Sequence, residues 1–188
     1  MSDPSPFPAA LSWLIDNPLR RAGARRFVAR LGLRPGMRVV DVGCGPGRLS
    51  LACAAVVGEA GEVLAVDLQP EMVDRLERRA GRAGLANIRT LVAGAGDGGL
   101  PAGAFDRALL AYVLGEVPAG RRGAAVADIA AALRPGGRLV VAESLMDPHR
   151  QGREVVRSLG AAAGLEERGV EESLLGFVMT LERTGPSS

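Results

Sequence analysis

Hydrophobic positions along the chain switch between helical and alternating spacing at a regular interval. Leu11, Leu14, Ile15, Leu19, Phe27, Val28 and Leu31 recur at loosely helical spacing over 9–31, and Asn17-Pro18 divides them into two short helices. Arg34-Pro35-Gly36 is a turn signal. From there β runs alternate with helices. Arg38–Val42 reads as a strand, Leu49–Val57 as a helix, Val63–Asp67 as a strand and Pro70 to about Gly84 as a helix, with proline suited to its first position. Ile88–Val92 is a third strand, and a glycine-rich loop runs on to Gly103. Phe105–Ala111 is a strand, Arg121–Leu133 a helix, Pro135-Gly136-Gly137 a turn and Arg138–Ala142 a fifth strand. Gln151–Ala163 reads as a helix closed by Gly164. Glu166–Val170 and Leu174–Glu182 read as a closing hairpin that turns at Glu171-Glu172-Ser173. Strands alternating with helices predict a parallel α/β sheet with helices on both faces, to which the hairpin adds an antiparallel element. The runs at Val39-Val40 and Leu139–Ala142 are continuously apolar, as central strands buried on both faces should be.

The length of 188 residues predicts one domain, with a helical cap over 1–33 and a core over 34–184. Aromatic residues make up 3% of the chain, so the core must be built from Ala, Val and Leu. Every basic residue is an arginine, and the net charge of +2 disfavours a domain that holds nucleic acid through phosphate contacts. Arg20, Arg21, Arg25, Arg26 and Arg30 form the one notable basic cluster, read as a solvated helix face rather than a phosphate site. Cys44 and Cys53 are too few for a disulfide framework and make no CxxC pair, which fits a reduced, cytoplasmic compartment. The N-terminus lacks the pattern of a secretory signal, no apolar stretch is long enough for a membrane span, and no cluster has metal-ligand spacing.

The strand-to-helix connection Val39-Val40-Asp41-Val42-Gly43-Cys44-Gly45-Pro46-Gly47 carries the chemistry. Glycines there let the backbone turn sharply and approach a ligand closely, and ligands of open parallel sheets bind at the carboxyl ends of strands. A dinucleotide fingerprint would need Gly or Ala at Arg48; the spacing is GxGxG instead. Asp41 precedes the loop, and a carboxylate there suits the amino and sulfonium cations of S-adenosylmethionine better than a pyrophosphate. Asp67 ends the second strand, where a carboxylate can accept hydrogen bonds from both hydroxyls of a ribose.

VVDVGCGPGRLS followed by GEVLAVDLQPEMVDRL resembles motifs I and II of the class I S-adenosylmethionine-dependent methyltransferases. More narrowly, the chain resembles their small, ubiquinone/menaquinone-biosynthesis-like group. AFDRALLAYVLGEVP resembles that group's fourth-strand motif, ALRPGGRLVVAES its turn and fifth strand, and SLGAAAGLEERGVEESLLGFVMTLER its last helix and hairpin. The resemblance implies a Rossmann-like, seven-stranded, mostly parallel sheet in the order 3-2-1-4-5-7-6. It implies that Asp41, Gly43, Cys44, Gly45 and Gly47 wrap the methionine moiety, that Asp67 holds the ribose with Leu68 and Met72 beside the adenosine, and that Ala111 and Tyr112 touch the methionine part. The family often places an Asp after strand three to meet the adenine amino group. Ala95 stands at that position here, which leaves two readings: Asp97 substitutes, or backbone groups of Gly94, Ala95 and Gly96 read the adenine.

Methyl transfer from a sulfonium mainly requires alignment, and a base is needed only where the acceptor must lose a proton. Candidates at the carboxyl edge are Tyr112, Glu116, Glu143 and His149, the chain's one histidine. Each has a plain structural reading too: Glu116 as a helix cap, Glu143 as a partner of loop amides, His149 as an ordinary helix-start residue. Trp13 and Phe27 are core anchors or, as the resemblance implies, lid residues. The expected acceptor is a small molecule. Two alternatives stay open: an RNA or DNA methyltransferase, disfavoured by Ala111-Tyr112-Val113-Leu114 where an Asn/Asp-Pro-Pro-aromatic motif would stand, and a non-catalytic S-adenosylmethionine-binding domain. The short chain implies a shallow acceptor pocket or one completed by a second copy in a homodimer.

Overall fold

A computed structural model of the protein describes residues 24–185 except Arg26. Most of the expected helical cap, Trp13 included, lies outside these residues; 24–25 and 27–29 are helical, Val28 and Leu31 are buried, and Arg25 and Arg30 are exposed. The strands are β1 (Arg38–Val42), β2 (Glu62–Asp67), β3 (Ile88–Val92), β4 (Phe105–Ala111), β5 (Leu133–Ser144), β6 (Leu165–Ser173) and β7 (Gly176–Arg183). They form a seven-stranded sheet in the order β3-β2-β1-β4-β5-β7-β6; β1 pairs with β2, β2 with β3 and β4 with β5 in parallel, and β7 pairs antiparallel with β5 and β6. The order is the one the resemblance implies. The helices are α1 (Arg48–Val57), α2 (Pro70–Arg82), α3 (Arg122–Ala132) and α4 (Arg153–Ala162). Two compact units divide the chain, one ending at Gly94 and one running from Ala95.

In the first unit, Val63, Leu64, Ala65 and Val66 of β2 are all buried, so both faces of this strand are covered. Leu49, Ser50, Cys53, Ala54 and Val57 form the buried stripe of α1; Met72, Val73, Leu76 and Ala80 form that of α2. Asn87 closes the end of α1 from a distance: its Nδ2 donates to the carbonyls of Ala54 (3.0 Å) and Gly58 (2.8 Å). This satisfies acceptors that a helix C-terminus leaves orphaned.

In the second unit, β5 differs from expectation. It begins at Leu133, five residues earlier than the apolar run, and Pro135-Gly136-Gly137 is a bulge within it rather than a turn before it. Leu133 pairs with Phe105, and pairing resumes only at Arg138 opposite Arg107. The intervening Arg134 makes a 2.6 Å ion pair with Asp106, which ties the bulge to β4. The closing hairpin also turns later than expected. Glu171, Glu172 and Ser173 belong to β6, and the turn is Leu174-Leu175. The side-chain oxygen of Ser173 accepts the Leu175 N–H (3.2 Å) and donates to the Gly176 carbonyl (3.3 Å), which shapes that turn. The polar run misleads because β6 is an outer strand with most of its residues exposed, so polarity there marks solvent rather than a bend.

Candidate functional site

The glycine loop is anchored by its own backbone. The N–H groups of Gly43 (2.8 Å) and Cys44 (2.9 Å) both donate to the carbonyl of Val66 on β2. Gly45 N–H then donates to Asp67 Oδ2 at 2.7 Å, while Gln69 N–H donates to Oδ1 at 2.9 Å. Asp67 is therefore held from both sides, one amide on each oxygen. A carboxylate offers about four lone-pair sites, so each oxygen keeps one for a further donor. Gly45 has φ +52°, and no atom lies within 4 Å of the point a Cβ would occupy: the loop leaves open space on that side. Leu68, next to Asp67, is an exposed apolar side chain, whereas Met72 is buried in the row with Val73 and Leu76.

Asp41 is buried, and its Oδ2 accepts the Ser50 hydroxyl at 2.6 Å. Burial pushes its pKa up to about 6; the Ser50 hydrogen bond opposes this, the Asp67 carboxylate adds to it, and the Arg48 guanidinium opposes it weakly. The folded value lies above the unfolded one, so between pH 3.8 and about 6 the folded chain keeps a proton that the unfolded chain has released. Stability is then lost as pH rises through about 6, by about 3 kcal/mol in total. A cation bound beside Asp41 would draw the proton off. Ser50 itself escaped the sequence reading. Its signal was a single hydroxyl in the apolar stripe of α1, a position that requires a polar partner. Cys44 and Cys53 are free and buried, and burial drives both thiols well above their ordinary range, so neither is a reactive thiolate.

In the second unit, Asp97 forms an ion pair with Arg121, and the Gly96 carbonyl accepts from the same guanidinium at 3.3 Å. Ala95 heads this loop. Ala111 ends β4, and Tyr112 follows with φ 63°, the one non-glycine residue with positive φ among the described residues. Its N–H donates to the Ala142 carbonyl at 2.8 Å, which holds the strained backbone in place, and its side chain is exposed. Such a conformation costs of order 1–3 kcal/mol and persists where the surroundings enforce it, often at functional sites. Glu116 N–H donates to the Val113 carbonyl at 2.9 Å, within the loop before α3. His149 is exposed, and its backbone N–H donates to Asp147 Oδ1 at 2.8 Å.

Glu143, at the end of β5, is 2% exposed, and neither carboxyl oxygen has a hydrogen-bond partner among the described residues. The loop amide that bears on this carboxyl group is that of Gln151. Burial pushes its pKa up to about 7, against the pull of the Gln151 amide and the Arg122 and Arg150 guanidiniums and with a push from Asp147. The folded value exceeds the unfolded one, so ionisation weakens the fold as pH rises through about 7. Glu143→Gln is expected to be the more stable chain at pH 8.5, by about 2 kcal/mol, with the gap closing below pH 5. Denaturant titrations at the two pH values measure this; a gap that does not change with pH contradicts it.

Residues 39–137 match the family described as "Methyltransferase domain". The chain is 34% identical over 121 residues to the demethylmenaquinone methyltransferase of Symbiobacterium thermophilum, covering 64% of this chain and 47% of that protein. It is 40% identical over 124 residues to the ubiquinone/menaquinone biosynthesis C-methyltransferase UbiE of Azotobacter vinelandii, covering 63% of this chain and 47% of that one. The chain thus spans about half the length of these relatives. Among solved structures, a SAM-dependent methyltransferase from Aquifex aeolicus superposes with a TM-score of 0.85 over 95% of this chain and 100% of that one, at 22% identity. The chain belongs to the methyltransferase-domain family. Among the described residues, no helix is long and apolar enough to cross a membrane.

Proposed function

We propose that the chain binds S-adenosylmethionine and transfers its methyl group to a small-molecule acceptor. The observation that carries this reading is the paired use of Asp67: one backbone amide on each oxygen, one acceptor site left on each, beside a glycine loop open at Gly45. Two vicinal ribose hydroxyls are the donors such a carboxylate suits. When bound, the cofactor supplies a methyl already activated on a sulfonium. The chain's own residues then bind and orient: Asp67 the ribose; Asp41, Gly43, Cys44, Gly45 and Gly47 the methionine part; Leu68 and Met72 the adenosine side. For adenine, the ion pair of Asp97 with Arg121 favours the reading in which backbone groups at Gly94, Ala95 and Gly96 make the contact. Ala111 and Tyr112 face the methionine part in this reading.

Tyr112, Glu116, Glu143 and His149 remain the acceptor-side candidates. Exposed Tyr112 and His149 are better placed to meet a soluble acceptor than buried Glu143. The methylquinone-forming names of the relatives support a small aromatic or enolic acceptor. One methyltransferase domain spanning the chain is the reading adopted, supported by a family match that runs across Gly94. Two free, buried thiols support a cytoplasmic location.

Isothermal titration with S-adenosylhomocysteine tests the proposal, and a folded sample that shows no binding rejects it. The same titration tests Asp41. At pH 6 the binding heat is expected to depend on the ionisation enthalpy of the buffer, because the ligand's cation draws a proton off Asp41, whereas at pH 8 it is not. Affinity should fall up to about tenfold per pH unit below 6. Asp41→Asn should abolish this dependence; a dependence that survives the substitution assigns the proton elsewhere.

A further inference from the structure

Two loops follow the carboxyl ends of β4 and β5, and one guanidinium ties them together. Arg122, the first residue of α3, donates from Nε to the carbonyls of Val117 (2.9 Å) and Leu114 (3.1 Å). Its Nη2 donates to the Gly115 carbonyl at 3.4 Å, and its Nη1 to Gln151 Oε1 at 2.9 Å. Gln151 Nε2 in turn donates to the His149 carbonyl at 2.7 Å. The two backbones also touch directly: a Cβ on Gly115 would lie 2.5 Å from the His149 carbonyl oxygen, so this approach requires glycine. All four acceptors of Arg122 are neutral. A guanidinium spent on carbonyls and an amide is serving as a rigid fork of donors, a geometry that the single ammonium of lysine does not reproduce.

We propose that Arg122 is a positioning residue that clasps loop 113–117 to loop 149–151 and so fixes where Tyr112, Glu116 and His149 stand relative to one another. The clasp is a property of the loops themselves; its meaning for the acceptor rests on the methyl-transfer reading above. With the loops joined, these three of the four acceptor-side candidates move as one body. Without Arg122, the strained backbone at Tyr112 loses the neighbour that holds the rest of its loop.

The chain has one tyrosine and one histidine, so each loop region carries a unique reporter. With 3-fluorotyrosine incorporated, the fluorine resonance reads Tyr112; the imidazole carbon signals of labelled histidine read His149. Arg122→Lys is expected to shift or broaden both signals and to raise hydrogen exchange at the Glu116 and Val117 amides at least about tenfold. Gln151→Ala, a change confined to the second loop, is expected to move the Tyr112 fluorine signal in the first. Unchanged resonances and exchange in Arg122→Lys overturn the proposal. Should that variant fail to fold, an unmoved fluorine signal in Gln151→Ala overturns it. Failure of the unaltered chain to bind S-adenosylhomocysteine would instead sink the methyl-transfer reading, leaving the loop measurements to judge the clasp.

Discussion

Asp67→Asn is expected to weaken S-adenosylhomocysteine binding by about 100-fold while leaving the far-ultraviolet circular dichroism unchanged. The aspartate gives up one lone pair on each oxygen to the loop, at Gly45 and Gln69, and keeps one on each for a ligand. Asparagine keeps a single acceptor atom. Its NH2 group cannot accept, so either the Gly45 or the Gln69 N–H loses its partner, and it offers a ribose one acceptor at most. Loss of one charge-assisted hydrogen bond accounts for about 1.5–3 kcal/mol, and a loosened loop adds to it. Calorimetry on the two chains in parallel decides the matter. Equal affinities would remove Asp67 from the site.

The second large effect concerns Gly47, which should not tolerate even a methyl group. Its φ of +81° is left-handed, and a Cβ there would lie 2.1 Å from Leu76 Cδ1 and 2.9 Å from Cγ. Leu76 is fully buried in the stripe of α2, with no free direction to swing. The left-handed backbone costs about 1–2 kcal/mol for alanine, and forcing Leu76 out of its position about 1–3 more. Gly47→Ala is thus expected to lower the melting temperature by roughly 6–12 °C for a domain of this size. Shortening the neighbour should recover the packing part: in a Leu76→Ala background the same glycine change should cost about half as much. A Gly47→Ala chain that melts within about 2 °C of the unaltered one would show that the loop is looser than described.

Much of this was legible in the residues because the signals were redundant. β1, β3 and β4 fell on their expected boundaries, where apolar runs and flanking glycines agreed. The glycine loop and Asp67 were legible for the same reason: spacing, strand ends and residue chemistry pointed one way. The bulge in β5 was not, because Pro135-Gly136-Gly137 carries a turn's composition while the neighbouring strand decides whether the chain keeps pairing. The hairpin turn was missed where exposure and bending share a polar signature, at Glu171 to Ser173. Arg122 was hidden by abundance: among 23 arginines, nothing in the sequence distinguishes the one whose donors meet loop carbonyls. Asp97 stood out as the natural replacement for a missing aspartate, but its partner Arg121 lies 24 residues away, beyond the reach of local pattern.

The outer strand β6 carries a consequence for the chain's behaviour in company. An unprotected strand edge invites another copy to zip onto it. Here Glu166, Glu167, Arg168, Glu171 and Glu172 crowd that rim, and arginines from α4 and from β6 itself fasten several of these carboxylates in place. A newcomer strand would have to strip water from this fence of charge before gaining its first backbone bond, so concentrated solutions should resist fibre-like growth along that border.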